Sequence, residues 1–266
     1  MILLTPWDLA LAALLVLLLA LTSMPLKLAI ARPLIIASVR ATIQLLLIGL
    51  VLKTLFETVH LGFVALIAIV MVTIAGAEVT ARLHYRFKGL WGFGMGTTAM
   101  FISSFVVALL GLLIIIQADP WYAPRYAIPL LGMILGNSLN GIALALDRLT
   151  HAAWHQRREI EARLLHGEGW SEAMTDIRRD CMRSGMMPMI NAMAAAGVVS
   201  LPGMMTGQIL AGSPPLEAVK YQIMIFFLIT AASGFGTVAA IWLGSRRLFD
   251  DRQRLRLERI TVPSRG

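Results

Sequence analysis

The sequence is short of charge and nearly without cysteine. Asp, Glu, Lys and Arg together make up 14% of its 266 residues, while 58% are hydrophobic. Soluble domains carry about 25% charged residues, so this chain cannot dress an ordinary water-facing surface and belongs in a bilayer. Its single cysteine, Cys181, excludes an internal disulfide and a Cys-rich metal site. There is no Gly-x-Ser-x-Gly, no His-Glu-x-x-His and no pair of intramembrane aspartates, which leaves an intramembrane hydrolase or transferase without a nucleophile or metal pair. Nor does anything basic precede the apolar run Leu9–Leu21; Lys27 and Arg32 follow it. A signal peptide needs a positive leader and a small-residue cleavage site, so the first helix is expected to be retained, with its N-terminus outside.

What is present is a series of apolar blocks. A spanning helix needs about 20 mostly apolar residues, and seven segments qualify. They run from about Trp7 to Met24, Leu34 to Leu55, Leu61 to Val79, Leu90 to Ile116, Tyr126 to Leu146, Pro188 to Leu210 and Tyr221 to Leu243. The fourth is long enough to tilt or break at its glycines, and Asp147-Arg148 is expected to close the fifth at the inner surface. With the N-terminus outside, 20 of the 23 Lys and Arg residues fall on the inner side; only Lys53, Arg125 and Lys220 fall outside. That asymmetry is a strong positive-inside signal. It also accounts for the net charge of +8 without nucleic acid, and the arginines of the tail are expected to favour anionic headgroups. Trp7, Trp91, Trp121, Tyr122 and Trp242 lie near predicted helix ends, where interfacial anchors sit.

One long loop interrupts the pattern. Residues 148–187 are mixed in charge and helix-favouring. Arg157 to Leu165 predicts one helix, interrupted at Gly167 and Gly169, and Ser171 is placed to cap a second over about Glu172 to Ser184. Within the loop, Glu161-Ala162-Arg163-Leu164-Leu165-His166-Gly167, followed ten residues later by Ile177, resembles the EAA loop of ABC-transporter permeases. It departs from that pattern at Arg163 and lacks the Leu-Pro that usually follows the Ile. The alternative reading is a solvated amphipathic loop helix. Three further stretches are similar to the FetB family, the iron-export permeases of bacterial ABC systems related to plant aluminium-tolerance permeases. They are Arg40-Ala41-Thr42-Ile43-Gln44-Leu45, Gly132 through Gly141, and Val199 through Gly212. The resemblance runs from the second segment to Arg247. It implies a coupling helix carried by Glu161, Ala162, Gly167 and Ile177 and docked on a separate cytoplasmic ATPase, with the permease itself paired as a homodimer. This chain has no Gly-x-x-x-x-Gly-Lys-[Ser/Thr] phosphate loop, so ATP would be bound by the partner and the chain itself needs no cofactor.

Polar groups in apolar segments are the candidates for a transport path. Arg40 and Glu78 both fall at inner helix ends and either pair with each other or line the path; Gln44 lies one turn from Arg40 on the same face. Asn137 and Asn140 share a face and either line a cavity or join helices. The stretch Leu201–Gly212 mixes Pro, Gly, Thr and Gln into an apolar segment, which marks Pro202, Met204, Met205, Thr206 and Gln208 as an outer gate or hinge. Six methionines around the sixth segment suit irregular packing better than iron, which prefers harder ligands. His151, His155 and Glu159 recur at helical spacing, either as a solvated face or as a metal site at the inner mouth. Metal ligands are otherwise not assigned by the sequence.

These readings combine into one expectation. The chain is an all-α polytopic membrane protein, a single permease domain over residues 1–266 with a coupling loop at 148–187 and a basic inner tail at 246–266. It is expected in the bacterial cytoplasmic membrane, in contact with lipid, moving iron or another metal ion for a partner ATPase. The alternatives are a different metal, a metal complex or a lipid-like solute, and more remotely a membrane enzyme.

Overall fold

The structure is a computed structural model and describes residues 5–26, 30–57 and 59–261. Lys27 and Arg265 of the charge count lie outside the described residues. The chain divides into two compact units, Met1–Val59 and His60–Gly266.

The first unit is a pair of helices, α1 (Pro6–Ser23) and α2 (Ala31–Glu57), packed on one another. Pro6 opens α1 where its missing N–H costs nothing, and Asp8 closes a capping box with Thr5. Most described side chains of the pair are apolar and outward-facing, as lipid contact favours, while Arg32, Arg40, Gln44 and Lys53 also stand exposed on α2.

The second unit is built on α6 (Pro124–His155) and α11 (Pro215–Arg247), both more than 30 residues long. They run in the same direction. Leu130 and Leu228 flank Gly111, the Ser138 and Ser233 hydroxyls lie 3.3 Å apart, and Leu146 and Leu149 close on Gly244. Small residues make the approach possible. On α11, Gly236, Ala240 and Gly244 recur every fourth residue, and a Cβ on Gly236 would come within 2.7 Å of Ser103 and Ile142. Helix α3 (Leu61–Ala81) crosses α4 (Leu90–Met100) at an equally close contact, where a Cβ on Gly96 would lie 2.8 Å from the Gly76 carbonyl. The α4 helix continues through a π turn (Phe101–Phe105), α5 (Val106–Leu110) and a second π turn (Gly111–Ile116). The fourth predicted span is therefore one rod with two widened turns, the second opening at Gly111.

Among the described residues, six helices, counting Leu90–Ile116 as one, are long and apolar enough to cross a membrane. They correspond to six of the seven predicted segments, with α6 extending through Asp147-Arg148 to His155 instead of ending there. The segment over Pro188 to Leu210 differs. It is split between α9 (Thr175–Ala195) and α10 (Gly203–Leu210), and α9 also absorbs most of the predicted second loop helix. A short helix α8 (Trp170–Ala173), rather than Ser171, opens that stretch. Glycine and proline explain the break: Gly197 takes φ +80 and Pro202 is the N-cap of α10. Because α6 and α11 are parallel, the α9–α10 segment must bring the chain back from one end of the bundle to the other.

The basic tail is folded rather than extended: β1 (Arg86–Phe87) pairs antiparallel with β2 (Ile260–Thr261). Between α11 and β2 the chain folds on Asp250, whose carboxylate accepts from Arg254 and Arg256 at 2.9 Å each. Arg259 donates to the carbonyls of Arg247 and Phe249. Those three arginines thus hold the clasp together.

Candidate functional site

The basic end of the second unit carries the most differentiated surface. Helix α7 (Arg157–Leu165) forms over the predicted residues and ends at Gly167, whose φ of +92 is the left-handed turn that only glycine adopts without strain. Its inner face is fixed by Ile160, buried to 1%. Its outer face presents Glu161, Ala162 and Leu165, the last 87% exposed. Arg163, which breaks the EAA pattern, faces inward. It donates to Glu168 at 2.7 Å and Asp176 at 3.2 Å, and these carboxylates raise its pKa further. The substitution therefore ties the knob to α9.

The tail clasp lies beside this knob. Residues 251–255 and the Glu161–Glu168 stretch line one open cavity of about 710 Å³, and Gln253 accepts from the Trp170 N–H at 3.0 Å. Asp250 is held well below the usual carboxylate range, first by the Arg254 backbone N–H and then by the two guanidinium groups. Nearby, the Arg247 guanidinium stacks over Trp91 at 4.5 Å.

A second cavity, of about 680 Å³, opens between α6, α7 and α9. Asp147, Arg148, His151, His155, Glu159 and Asp180 line it. The His151, His155 and Glu159 stripe does converge there, with the two imidazoles 4.2 Å apart and Tyr85 against both. Among the described residues, however, no group of three His, Cys, Asp or Glu side chains is placed to hold a metal ion. Cys181, also on the wall, is 2% exposed, and burial pushes its thiol up to about 12. Of the four coupling residues, Glu161 and Gly167 line the first cavity and Ile177 the second.

The other sequence candidates scatter. Arg40 and Gln44 are exposed on α2, in the first unit, and Arg40 and Glu78 each have a side-chain interaction. Asn137 bonds back to the Met133 carbonyl at 2.8 Å, whereas Asn140 accepts from Arg82 at 2.6 Å and so joins α6 to the end of α3. Thr206 caps its own turn on Pro202 and Gly203. Met205 is buried, Met204 half-buried, and the Gln208 side-chain Oε1 is buried with no hydrogen-bond partner among the described residues. The methionines pack: Met193 accepts from Thr230 at 3.3 Å and Met186 lies against Gly234.

Sequence reasoning missed two features. Asp147 accepts the His84 N–H at 2.7 Å, pinning the α3–α4 connection to α6. The second is the seam of buried hydroxyls, Ser103, Ser104, Ser138, Ser233 and Thr237. The four-residue spacing of small residues on α11 was the available signal for the seam.

Fold and surface together define a multi-pass α-helical membrane protein with a structured platform at its basic end. The chain belongs to the uncharacterised protein family UPF0014, which matches residues 6–249. It is 38% identical over 216 residues to a UPF0014 membrane protein of Synechocystis, covering 81% of this chain and 83% of that one. It is 30% identical to the probable iron export permease protein FetB of Escherichia coli, over 93% of both chains. The protein ALUMINUM SENSITIVE 3 of Arabidopsis thaliana is 28% identical over 77% of this chain and 72% of its own length. No solved structure matches. The resemblance to FetB proteins drawn from the motifs thus holds along nearly the whole chain, and the name of the Escherichia coli relative points to a transporter rather than an enzyme.

Proposed function

We propose that this chain is the membrane-spanning permease subunit of an ABC transporter, exporting iron or another metal ion across the bacterial cytoplasmic membrane. It works as a pair of permeases and is driven by a separate ATPase. The observation that carries this reading is the α7 knob: a short helix stopped by Gly167, anchored inward by Ile160 and Arg163, and exposed outward at Glu161, Ala162 and Leu165. A rigid helix with an exposed outer face is what a soluble motor subunit can grip. The basic charge at that end favours the cytoplasmic side. Iron as cargo is supported by the naming of the Escherichia coli relative.

The test is ATP-dependent accumulation of radioactive iron in inverted vesicles carrying this chain and its ATPase. Glu161→Lys is expected to abolish accumulation and permease-stimulated ATP hydrolysis while leaving the protein in the membrane at wild-type abundance. Normal stimulation by that variant would sink the coupling assignment. Accumulation of another metal, with none of iron, would replace the cargo.

A further inference from the structure

The gap between α9 and α10 sits at an unusual depth. Met193 accepts from Thr230, near the middle of the 33-residue α11, and α9 ends two residues later at Ala195. The connection that follows, residues 196–202, therefore lies close to half the height of the bundle. It is not helical. Ala196 is extended, Gly197 takes φ +80, and the turn is held by three bonds: Gly197 N–H to the Ser200 carbonyl, and the Val199 and Ser200 N–H groups to Ala195.

It is also uncovered. Val198 is 88% exposed, Val199 83% and Leu201 60%. Among the described residues, the N–H groups of Val198 and Leu201 find no acceptor, and the carbonyls of Val198, Val199 and Leu201 find no donor. Non-helical backbone at this depth does not face lipid, because hydrocarbon cannot satisfy it; it is stable only against protein or a water-filled space. Three aliphatic side chains standing outward argue against water.

We propose that residues 196–202 are the surface through which two copies of this chain meet within the membrane, Val198, Val199 and Leu201 packing against the same residues of the second copy. This rests on the pairing in the function proposed above. A second copy is the occupant that the chemistry favours, because the surface offers unpaired donors and unpaired acceptors together. Such a surface complements itself across a two-fold axis, where each residue meets its partner's counterpart in reverse order. Neighbouring small residues, Ala192, Ala194 and Gly197, leave room for that approach.

The experiment is disulfide trapping in native membranes containing the full chain and its ATPase. Cys181→Ser removes the native thiol, and Val198→Cys and Val199→Cys are introduced singly. With a copper–phenanthroline oxidant, either variant is expected to run mostly as a reductant-reversible dimer, and the fraction is expected to survive tenfold dilution with lipid. A nitroxide at position 198 is expected to be shielded from both oxygen and water-soluble nickel. A dimer by native electrophoresis without trapping at either position would overturn this surface while leaving the pairing intact. A monomer by both measurements would overturn the pairing as well. Ready access of oxygen to the nitroxide would show lipid at the break, and access of nickel would show water; either defeats the proposal.

Discussion

Gly141 of α6 and Gly185 of α9 meet backbone to backbone: a Cβ on the first would lie 2.8 Å from the Gly185 carbonyl oxygen, and one on the second 2.7 Å from that of Gly141. Neither oxygen can move without shifting a helix. Gly185→Ala is therefore expected to lower thermal stability in detergent by the equivalent of about 1–3 kcal/mol, the usual cost of overpacking. Gly136→Ala is the control, because its Cβ would meet nothing within 4 Å. Equal melting temperatures for the two variants would show that the α6–α9 crossing is looser than this contact requires.

Arg163 connects the knob to α9 through Asp176 and holds Glu168 of the turn that follows α7. Arg163→Ala is expected to accelerate amide exchange over residues 163–176 while leaving the bundle helices unchanged, since the pairs are partly exposed and screened. If coupling runs through that link, the ATPase is stimulated less although Glu161 is intact. Unchanged exchange in the loop would mean that Ile160 alone holds α7 in place.

The spans were legible in the sequence because their cause is local. About twenty apolar residues in a row leave few alternatives to a helix, and hydropathy predicts the fourth span from about Leu90 to Ile116, the ends found in the structure. The α7 helix was equally legible, since Gly167 stops it from within the same stretch of chain. The break at Gly197 was half legible. Pro and Gly flag the region, but hydropathy continues through it and predicts a single span. The clasp was not legible. Arg254 and Arg256 look like solvated charge until Asp250 is seen to gather them, and β2 forms only because Arg86–Phe87, about 170 residues earlier, offers an edge. Asn140 is open in the sequence between lining a cavity and joining helices, and its 2.6 Å bond to Arg82, 58 residues earlier, decides for joining helices.

Asp250 sets the pH response of the clasp. Its carboxyl is held well below the ordinary value by the Arg254 N–H and the guanidinium groups. A carboxyl lowered by folding contributes stability above its unfolded pKa, about 3.9, and loses it as pH falls through the lower folded value. The clasp is therefore expected to stay closed from pH 5 to 8, with exchange at residues 250–261 following only intrinsic chemistry. Asp250→Asn is expected to open it at neutral pH, seen as faster exchange at Ile260 and Thr261 and at Trp170, whose N–H loses its partner Gln253. Slow exchange in that variant would assign closure to the β1–β2 pairing instead.

Cys181 gives a check on the second cavity. Its side chain is 2% exposed, and burial outweighs the opposing pull of Arg148, raising the thiol to about 12. Maleimide and metal both need thiolate, which at pH 7.5 is then scarcer by more than a thousandfold than for an ordinary cysteine, whose pKa is about 8.5. Cys181 is expected to resist maleimide in the folded protein for hours and to react within minutes after denaturation. Iron is expected not to protect it, since among the described residues no group of His, Asp or Glu joins it to make a metal site. Rapid native labelling, slowed by added ferrous iron, would instead make this cavity a cargo site and would require His151 and His155 to turn toward the thiol.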